Sequence, residues 1–306
     1  MSKKQSNRQR AADMCRRATD VGYQQCLDWA EKGRISRRQP VPDAAAPKQR
    51  RFEALLAHSL SEPLRDCQLD GAVLGMQGVT PDPDRPTLRL HPVMADRIVS
   101  YLLPCFDTFF GGIRGVPGLR LQHADGQWLL VDVSSSAAVV LEHEDPAWSP
   151  VLPERERGIT RIWRDAPNRL SRVERQEITD WDAGGGLSSR PEARDLLFSR
   201  VLRRPLLINA AASAHGWANT YNHHTDDIVV EWCCGVPAAE IADDLRCSGI
   251  DRAVEDVDVR PTFTRDPHPE RIDLADASLV LHCLNAAWCK KDSVERIAAA
   301  NRRKYQ

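Results

Sequence analysis

Between positions 215 and 233 the chain gathers side chains that can transfer protons. A histidine paired with a carboxylate can act as a general acid and base, which is the chemistry that hydrolases use. The candidate catalytic residues are His215, His223, Asp226, Asp227 and Glu231. This segment therefore favours one functional hypothesis, an enzyme of the nuclease or hydrolase class.

The spacing of these residues argues against a metal site. Imidazole, carboxylate and thiolate groups can bind zinc, but neighbouring residues of a strand point to opposite faces. His223 and His224 therefore cannot both face one ion unless a turn separates them. Farther along the chain, His282, Cys283 and Cys289 lack the second ligand pair that a zinc site needs. We expect no metal and no cofactor.

A second group of residues suits binding rather than catalysis. Residues 1–51 contain thirteen Lys and Arg against five Asp and Glu, a net charge of +8, whereas the remainder carries 29 basic and 38 acidic residues, a net charge of −9. Such asymmetry suggests an arm for an anionic partner, nucleic acid first among them, although the arm could equally fold back onto its own acidic body. The candidate nucleic-acid-binding residues are Arg8, Arg10, Arg16, Arg17, Arg37 and Arg38. Their contacts would be made to phosphates and would be sensitive to salt.

Helical periodicity predicts the elements that carry these arginines. Apolar residues recur at helical spacing over 7–19 and again over 23–32, and Gly33 is placed to end the second helix. Two short helices with apolar stripes predict a basic helical hairpin over residues 1–35. Residues 36–50 are rich in proline and alanine, which is typical of a linker.

Part of this region resembles a known element. Ala11, Met14, Thr19, Tyr23, Cys26 and Leu27 match a pattern in which one short helix runs into a threonine and a second helix follows. In this respect residues 11–27 resemble a short N-terminal helical element of proteins of actinobacterial plasmids, phages and other mobile elements. The resemblance implies a genomic neighbourhood and carries no catalytic residues.

The body, residues 51–306, alternates between helical and strand patterns. Helices are predicted near 50–61, 94–103, 190–203, 237–245 and 292–304, and strands near 137–144, 158–165, 254–260 and 277–284. The run GLRLQHADGQWLLVDV predicts a β-hairpin turning at Asp125-Gly126, and a second hairpin is predicted around Asp226. The fold class is therefore α+β, with a mixed helix and antiparallel β-hairpin body and a possible subdivision near 182–190.

Composition limits where the protein can act. A hydrophobic fraction of 42% is that of a globular protein, and no apolar run is long enough to span a membrane. The nine cysteines are odd in number and form no CxxC pair, which favours reduced thiols. With no secretory signal pattern at the N-terminus, these features predict a cytoplasmic protein that does not contact membranes.

Three functional hypotheses remain open. The one we favour is a non-enzymatic accessory protein of a mobile element or its host, which binds nucleic acid or a protein partner through residues 1–51. The second is the nuclease or hydrolase described above, although the chain contains no familiar hydrolase, kinase or dinucleotide motif. The third is a structural or assembly protein whose arm captures a neighbouring subunit, which would make it a homo-oligomer.

Overall fold

A computed structural model of the chain describes residues 5–62, 72–109, 111–152, 157–183, 190–212, 218–233, 236–252 and 269–284. His215, the predicted strand 254–260, the predicted helix 292–304 and most of the predicted subdivision near 182–190 lie outside these ranges. Among the described residues, no helix combines the length and the hydropathy needed to cross a bilayer.

The described elements are helices and strands in roughly equal number, which confirms the α+β class. The helices are α1 Asn7–Ala18, α2 Tyr23–Glu31, α3 Pro47–Ser61, α4 Ala95–Leu102, α5 Ile162–Asp165, α6 Arg172–Asp182, α7 Pro191–Leu202, α8 Pro205–Asn209 and α9 Ala238–Cys247. The strands are β1 Met76–Thr80, β2 Thr87–Leu90, β3 Cys105–Asp107, β4 Gly112–Arg114, β5 Leu119–Ala124, β6 Gln127–Asp132, β7 Ala138–Glu142, β8 Ile159–Arg161, β9 Ala218–Tyr221, β10 Asp227–Cys233, β11 Glu270–Leu274 and β12 Ala277–Leu284.

Local interactions explain where α1 begins and where α2 ends. Ser6 and Gln9 form a capping box at the start of α1, in which each side chain bonds the other residue's backbone N–H. Gly33 follows α2 with φ +71°, the left-handed conformation that ends helices. The buried faces of α1 and α2 meet in a small apolar cluster of Ala11, Ala12, Cys15, Val21, Cys26, Trp29, Ala30 and Ile35.

The predicted linker lies against the rest of the protein. Val41 is fully buried, and α3 already begins at Pro47. The Gln49 side-chain amide donates to the backbone oxygen of Ala138 and accepts from its N–H, at 3.0 and 3.1 Å. These contacts hold the segment against the body. The division into arm, linker and body remains a prediction.

The described strands form three sheets. The largest has the order β1-β2-β7-β6-β5, the second β11-β12-β10-β9 and the smallest β4-β3-β8. The hairpin of β5 and β6 confirms the prediction at Asp125-Gly126. The φ values of these two residues, 52° and 75°, are both positive, which is common in two-residue hairpin turns.

Two pairings correct the expectation of a body built from antiparallel hairpins. β2 pairs with β7 in parallel, and β10 pairs with β12 in parallel. Parallel neighbouring strands are joined by long connections and not by tight turns. Turn residues in the sequence therefore cannot predict such a pairing. The predicted strand at 158–165 is also shorter than expected, because β8 ends at Arg161 and the chain continues directly into α5.

The second sheet has two chemically different faces. Ile228, Val230 and Trp232 on β10 and Leu279 and Leu281 on β12 are completely buried on one face, which packs against α3, α7 and α9. The strand register places Asn219, Glu231 and His282 next to one another on the opposite face. The larger apolar core of the described residues extends from Ala18 to Leu281 along the chain.

Helix α7 and the residues after it bring four arginines into this core: Arg194, Arg200, Arg203 and Arg204, each at most 1% exposed. Arg203 makes a two-pronged contact with Glu53 of α3, at 2.7 and 2.6 Å. Arg200 binds Asp43 at 3.0 and 2.6 Å, which attaches the segment before α3 to α7. Buried guanidinium groups need such partners because an unpaired buried charge is strongly destabilising.

Candidate functional site

A groove of about 640 Å³ lies where α1, the turn after α2 and the C-terminal end of α9 meet. Five guanidinium-bearing side chains line it: Arg10, Arg37, Arg38, Arg246 and Arg252. Met14, Cys247, Gly249 and Asp251 complete the described lining. We call this surface the arginine groove.

Local backbone structure fixes Arg37 and Arg38 at the groove. Ser36 and Gln39 exchange backbone hydrogen bonds of 3.0 and 3.1 Å across a tight turn. Opposite this turn, Gly249 has φ +81°, and a side chain added there would meet the backbone oxygen of Arg38 at 3.0 Å. A glycine therefore allows the two backbones to approach closely.

Buried arginines hold the end of α9 and the residues after it, which form one wall of the groove. Arg204 donates to the hydroxyl and backbone oxygen of Ser248, at 2.8 and 3.0 Å. Arg200 donates to the backbone oxygens of Ile250 and Arg252, at 3.0 and 2.6 Å. Burial lowers the pKa of Arg204 to about 9, so it still carries its charge at neutral pH. Burial opposes ionisation of Asp43, but the neighbouring Arg200 outweighs it and keeps the Asp43 pKa below its usual value.

The charges facing the groove are unbalanced. Within the described part of the chain, Arg10, Arg37, Arg38 and Arg252 make no ion pair, whereas Arg246 lies 3.2 Å from Asp243 and 3.8 Å from Glu270. Asp251 is the one carboxylate among the described lining residues. Such an excess of positive charge creates a potential that attracts anions.

The other three predicted arginines lie elsewhere. Arg17 forms an ion pair with Asp244 of α9, and Arg16 pairs with Asp13 on the exposed side of α1 at 3.3 Å. Arg8 is exposed but is not part of the described groove lining. The structure thus brings together half of the predicted arginines. It adds Arg246 and Arg252, which are about two hundred residues away and which spacing along the chain could not have identified.

Most of the predicted catalytic residues lie in the turn between β9 and β10. The carboxylate of Asp227 accepts hydrogen bonds from the backbone N–H groups of His223 and His224, at 2.7 and 3.0 Å. These two contacts close the turn, which is a common use of aspartate. The backbone oxygen of Asp226 accepts from the N–H of Ser278 in β12 at 2.8 Å, which joins the turn to the neighbouring strand. His215 lies outside the described residues.

Glu231 has a partner that the sequence did not indicate. The Nδ1 atom of His282 lies 3.1 Å from Glu231 Oε2. The two residues are directly opposite in the parallel register of β10 and β12, and Asn219 of β9 is opposite Glu231 on its other side. Both side chains of the pair are partly exposed, at 20% for Glu231 and 35% for His282, so the pair could exchange protons with a bound molecule. No group of three or more metal-ligating side chains occurs among the described residues.

The chain was compared with protein families, with curated proteins and with solved structures, and none of them matches it.

Proposed function

We propose that the protein binds nucleic acid through its phosphate backbone, in the arginine groove. The observation that carries this proposal is the convergence of five arginines from three separate segments on one surface, with a single described carboxylate among them. Arginine binds phosphate well because its planar guanidinium offers several donors in a fixed fork.

The lining indicates which form of nucleic acid suits the groove. One or two guanidinium groups satisfy a single phosphate, so five of them match a chain of phosphates better than an isolated ion. The described lining contains no aromatic side chain on which unpaired bases could stack. We therefore propose duplex binding, with contacts to phosphates and no reading of the base sequence. The resemblance of residues 11–27 to mobile-element proteins supports the same proposal, because mobile elements are themselves nucleic acid.

Salt dependence tests the proposal on the full chain. Fluorescence anisotropy with a labelled 20-base-pair DNA duplex, repeated over a series of KCl concentrations, gives the slope of log K against log salt. Each phosphate contact contributes about −0.9 to this slope, so five contacts predict a slope of roughly −4.5. The double substitution Arg37→Gln and Arg38→Gln should weaken binding and make the slope shallower by about 2, since it removes two contacts.

The matched control is Arg85→Gln, which removes an exposed arginine that does not line the groove. This variant should bind as the wild type does. Cys247 supplies a second readout, because its exposed thiol lies in the groove and bound duplex should slow its alkylation by N-ethylmaleimide. Duplex binding that is unchanged in the double variant, or that is insensitive to salt, would contradict the proposal. In that event light scattering shows whether the arm holds a second subunit instead.

A hydrolytic activity is the second candidate, and the Glu231–His282 pair favours it. In this role His282 would move the proton and Glu231 would orient the imidazole, as in other histidine–carboxylate pairs. The measurement is strand cleavage of duplex DNA with and without a chelator, in the wild type and in Glu231→Gln and His282→Asn. Cleavage that is lost in both variants supports the role, whereas intact DNA in every sample excludes a nuclease.

A further inference from the structure

A second cavity, separate from the arginine groove, lies between α4 and the three-stranded sheet. It has a volume of about 320 Å³, which is at the lower end of the range for small-molecule sites. Its lining combines two kinds of group. Leu103, Val151, Leu152, Ile159 and Trp163 are apolar, whereas Arg97, Ser100, Tyr101, Arg114 and Arg161 offer hydrogen-bond donors.

Strand register explains how the donors are gathered. Cys105 of β3 is directly opposite Arg114 of β4 and directly opposite Arg161 of β8. Residues paired in this way share one face of a sheet, and all three line the cavity. Arg114 also contacts the buried carboxylate of Asp107 at 2.6 Å, which holds its guanidinium in place.

Two hydroxyl groups complete the polar part of the lining. Within the described part of the chain, neither the Ser100 nor the Tyr101 hydroxyl forms a hydrogen bond, although both residues are only partly exposed. Burial raises the pKa of Tyr101, so its phenol keeps its proton at neutral pH and can donate it to an acceptor.

Among the described lining residues, positive charges outnumber negative ones. Three arginines stand there with one carboxylate, Asp96, which accepts hydrogen bonds from the Trp148 indole and the Val151 N–H at 2.9 and 3.1 Å. Adding Asp107 behind Arg114 leaves three positive groups against two negative ones within this described set. A ligand that matches this lining carries negative charge and has an apolar part that can replace water against Val151, Leu152 and Trp163.

We propose that this cavity binds a small organic anion, a phosphate monoester or carboxylate attached to an apolar or aromatic body. The arginines and the Ser100 and Tyr101 hydroxyls bind the anionic group, and the apolar side chains contact the body. This site is independent of the proposed duplex binding, since the two linings share none of their described residues.

Calorimetric titration of the full chain with phenyl phosphate, and separately with benzoate, tests the proposal. Phenol and inorganic phosphate are the fragment controls, each lacking one half of the predicted ligand. We expect saturable one-to-one binding of at least one of the two anions and binding of each fragment that is at least about tenfold weaker. Tyr101→Phe and Arg161→Gln should each lower the affinity by about tenfold, as expected when a hydrogen bond to a charged group is lost.

Two matched control variants keep the result specific. Arg85→Gln and Arg38→Gln remove arginines outside this cavity and should leave the affinity unchanged. Tyr101→Phe removes only a hydroxyl that has no partner in the described structure, so folding should be retained, and near-UV circular dichroism checks this. In addition, phenyl phosphate should slow the alkylation of Cys105, which lines the cavity, and not that of Cys247, which lies in the groove.

Three outcomes would overturn the proposal. The first is no saturable binding of either anion up to millimolar concentration. The second is binding that survives both Tyr101→Phe and Arg161→Gln. The third is inorganic phosphate binding as tightly as phenyl phosphate, which would deny any role to the apolar lining.

Discussion

At the scale of single residues, the buried arginines of α7 and of the residues directly after it connect the fold to the groove. Arg203 and Glu53 are both completely buried, and Ser199 adds a hydrogen bond of 2.7 Å to the same carboxylate. Arg200 and Arg204 use their remaining donors on backbone oxygens and on Ser248, next to the groove. Residues that never touch a ligand therefore determine where the groove-lining backbone lies.

Neutralising Glu53 tests this network. Glu53→Gln would leave Arg203 as a buried charge without a carboxylate, so we expect a loss of about 3–5 kcal/mol in the free energy of unfolding. The control is Asp13→Asn, which breaks the exposed pair with Arg16 and should cost less than about 1 kcal/mol. Urea denaturation of the three proteins measures both effects. Equal losses would show that the buried pair contributes no more than a surface pair.

His58 predicts a pH effect on stability. Burial between the rings of Trp181 and Phe198 lowers its pKa, and its Nε2 lies 2.9 Å from the backbone oxygen of His224. In the folded state the ring stays neutral as the pH falls below about 6.5, whereas the unfolded chain takes up a proton there. The unfolded state then binds more protons, so stability decreases as the pH falls through this window.

The comparison of wild type with His58→Gln isolates this contribution. Burial raises the pKa of Asp195 to about 6, so this residue changes stability in the opposite direction. Its contribution to the free energy of unfolding is lost as the pH rises. Its effect is present in both proteins and cancels in the difference. The stability advantage of wild type over the variant should therefore shrink between pH 7 and pH 5. Parallel stability curves for the two proteins would refute the assignment.

At the scale of elements, one close approach holds the first two helices against the largest sheet. Asp20, between α1 and α2, forms an ion pair with Arg89 of β2, with 3.3 Å between Oδ2 and Nε, and its N–H donates to the backbone oxygen of Val79. A side chain at Gly78 of β1 would collide with Asp20 at 2.5 Å. The absence of a Cβ at this strand position therefore permits the contact.

Gly78→Ala should displace Asp20 and loosen α1 and α2 from the sheet. We expect faster amide hydrogen exchange over residues 7–31 and a lower melting temperature, because the collision can be relieved only by moving backbone or by breaking the pair with Arg89. Gly112→Ala is the control, since a side chain there meets nothing within 4 Å. Unchanged exchange in Gly78→Ala would show that the contact does not hold the helices.

Helix α6 shows what local signals can and cannot supply. Its capping box, Ser171 with Glu174, is visible in the sequence as a serine followed three residues later by a glutamate, and we did not predict the helix. The second role of Glu174 is not local. It accepts from Arg120 of β5 at 2.8 and 3.2 Å and from the Gly118 N–H at 2.9 Å, which fixes α6 against the largest sheet.

At the scale of the whole molecule, the N-terminal region and the body should unfold together. Val41 and Ala18 belong to the same apolar core as Leu281, and Asp43 joins that core through Arg200. We expect a single thermal transition, with coincident curves from far-UV circular dichroism and tryptophan fluorescence. An arm that folds separately would give two transitions, which would support the division at residues 36–50.

By the same reasoning, deleting residues 1–51 should destabilise the body, so point variants are the better test of binding.

The sequence alone determined the features that arise from neighbours along the chain. Periodicity located α1, α3, α4, α7 and α9, turn chemistry located the β5–β6 hairpin, and composition identified the excess of positive charge near the N-terminus. These follow from backbone preferences and from side chains a few residues apart.

Only the tertiary structure decided which distant residues meet. The parallel pairing of β10 with β12 placed His282 beside Glu231, and the packing of α9 against the N-terminal region placed Arg246 and Arg252 beside Arg10, Arg37 and Arg38. Such contacts depend on how apolar faces and buried ion pairs fit together across the core. No spacing along the sequence encodes that fit, so the groove and the Glu231–His282 contact could be found only in three dimensions.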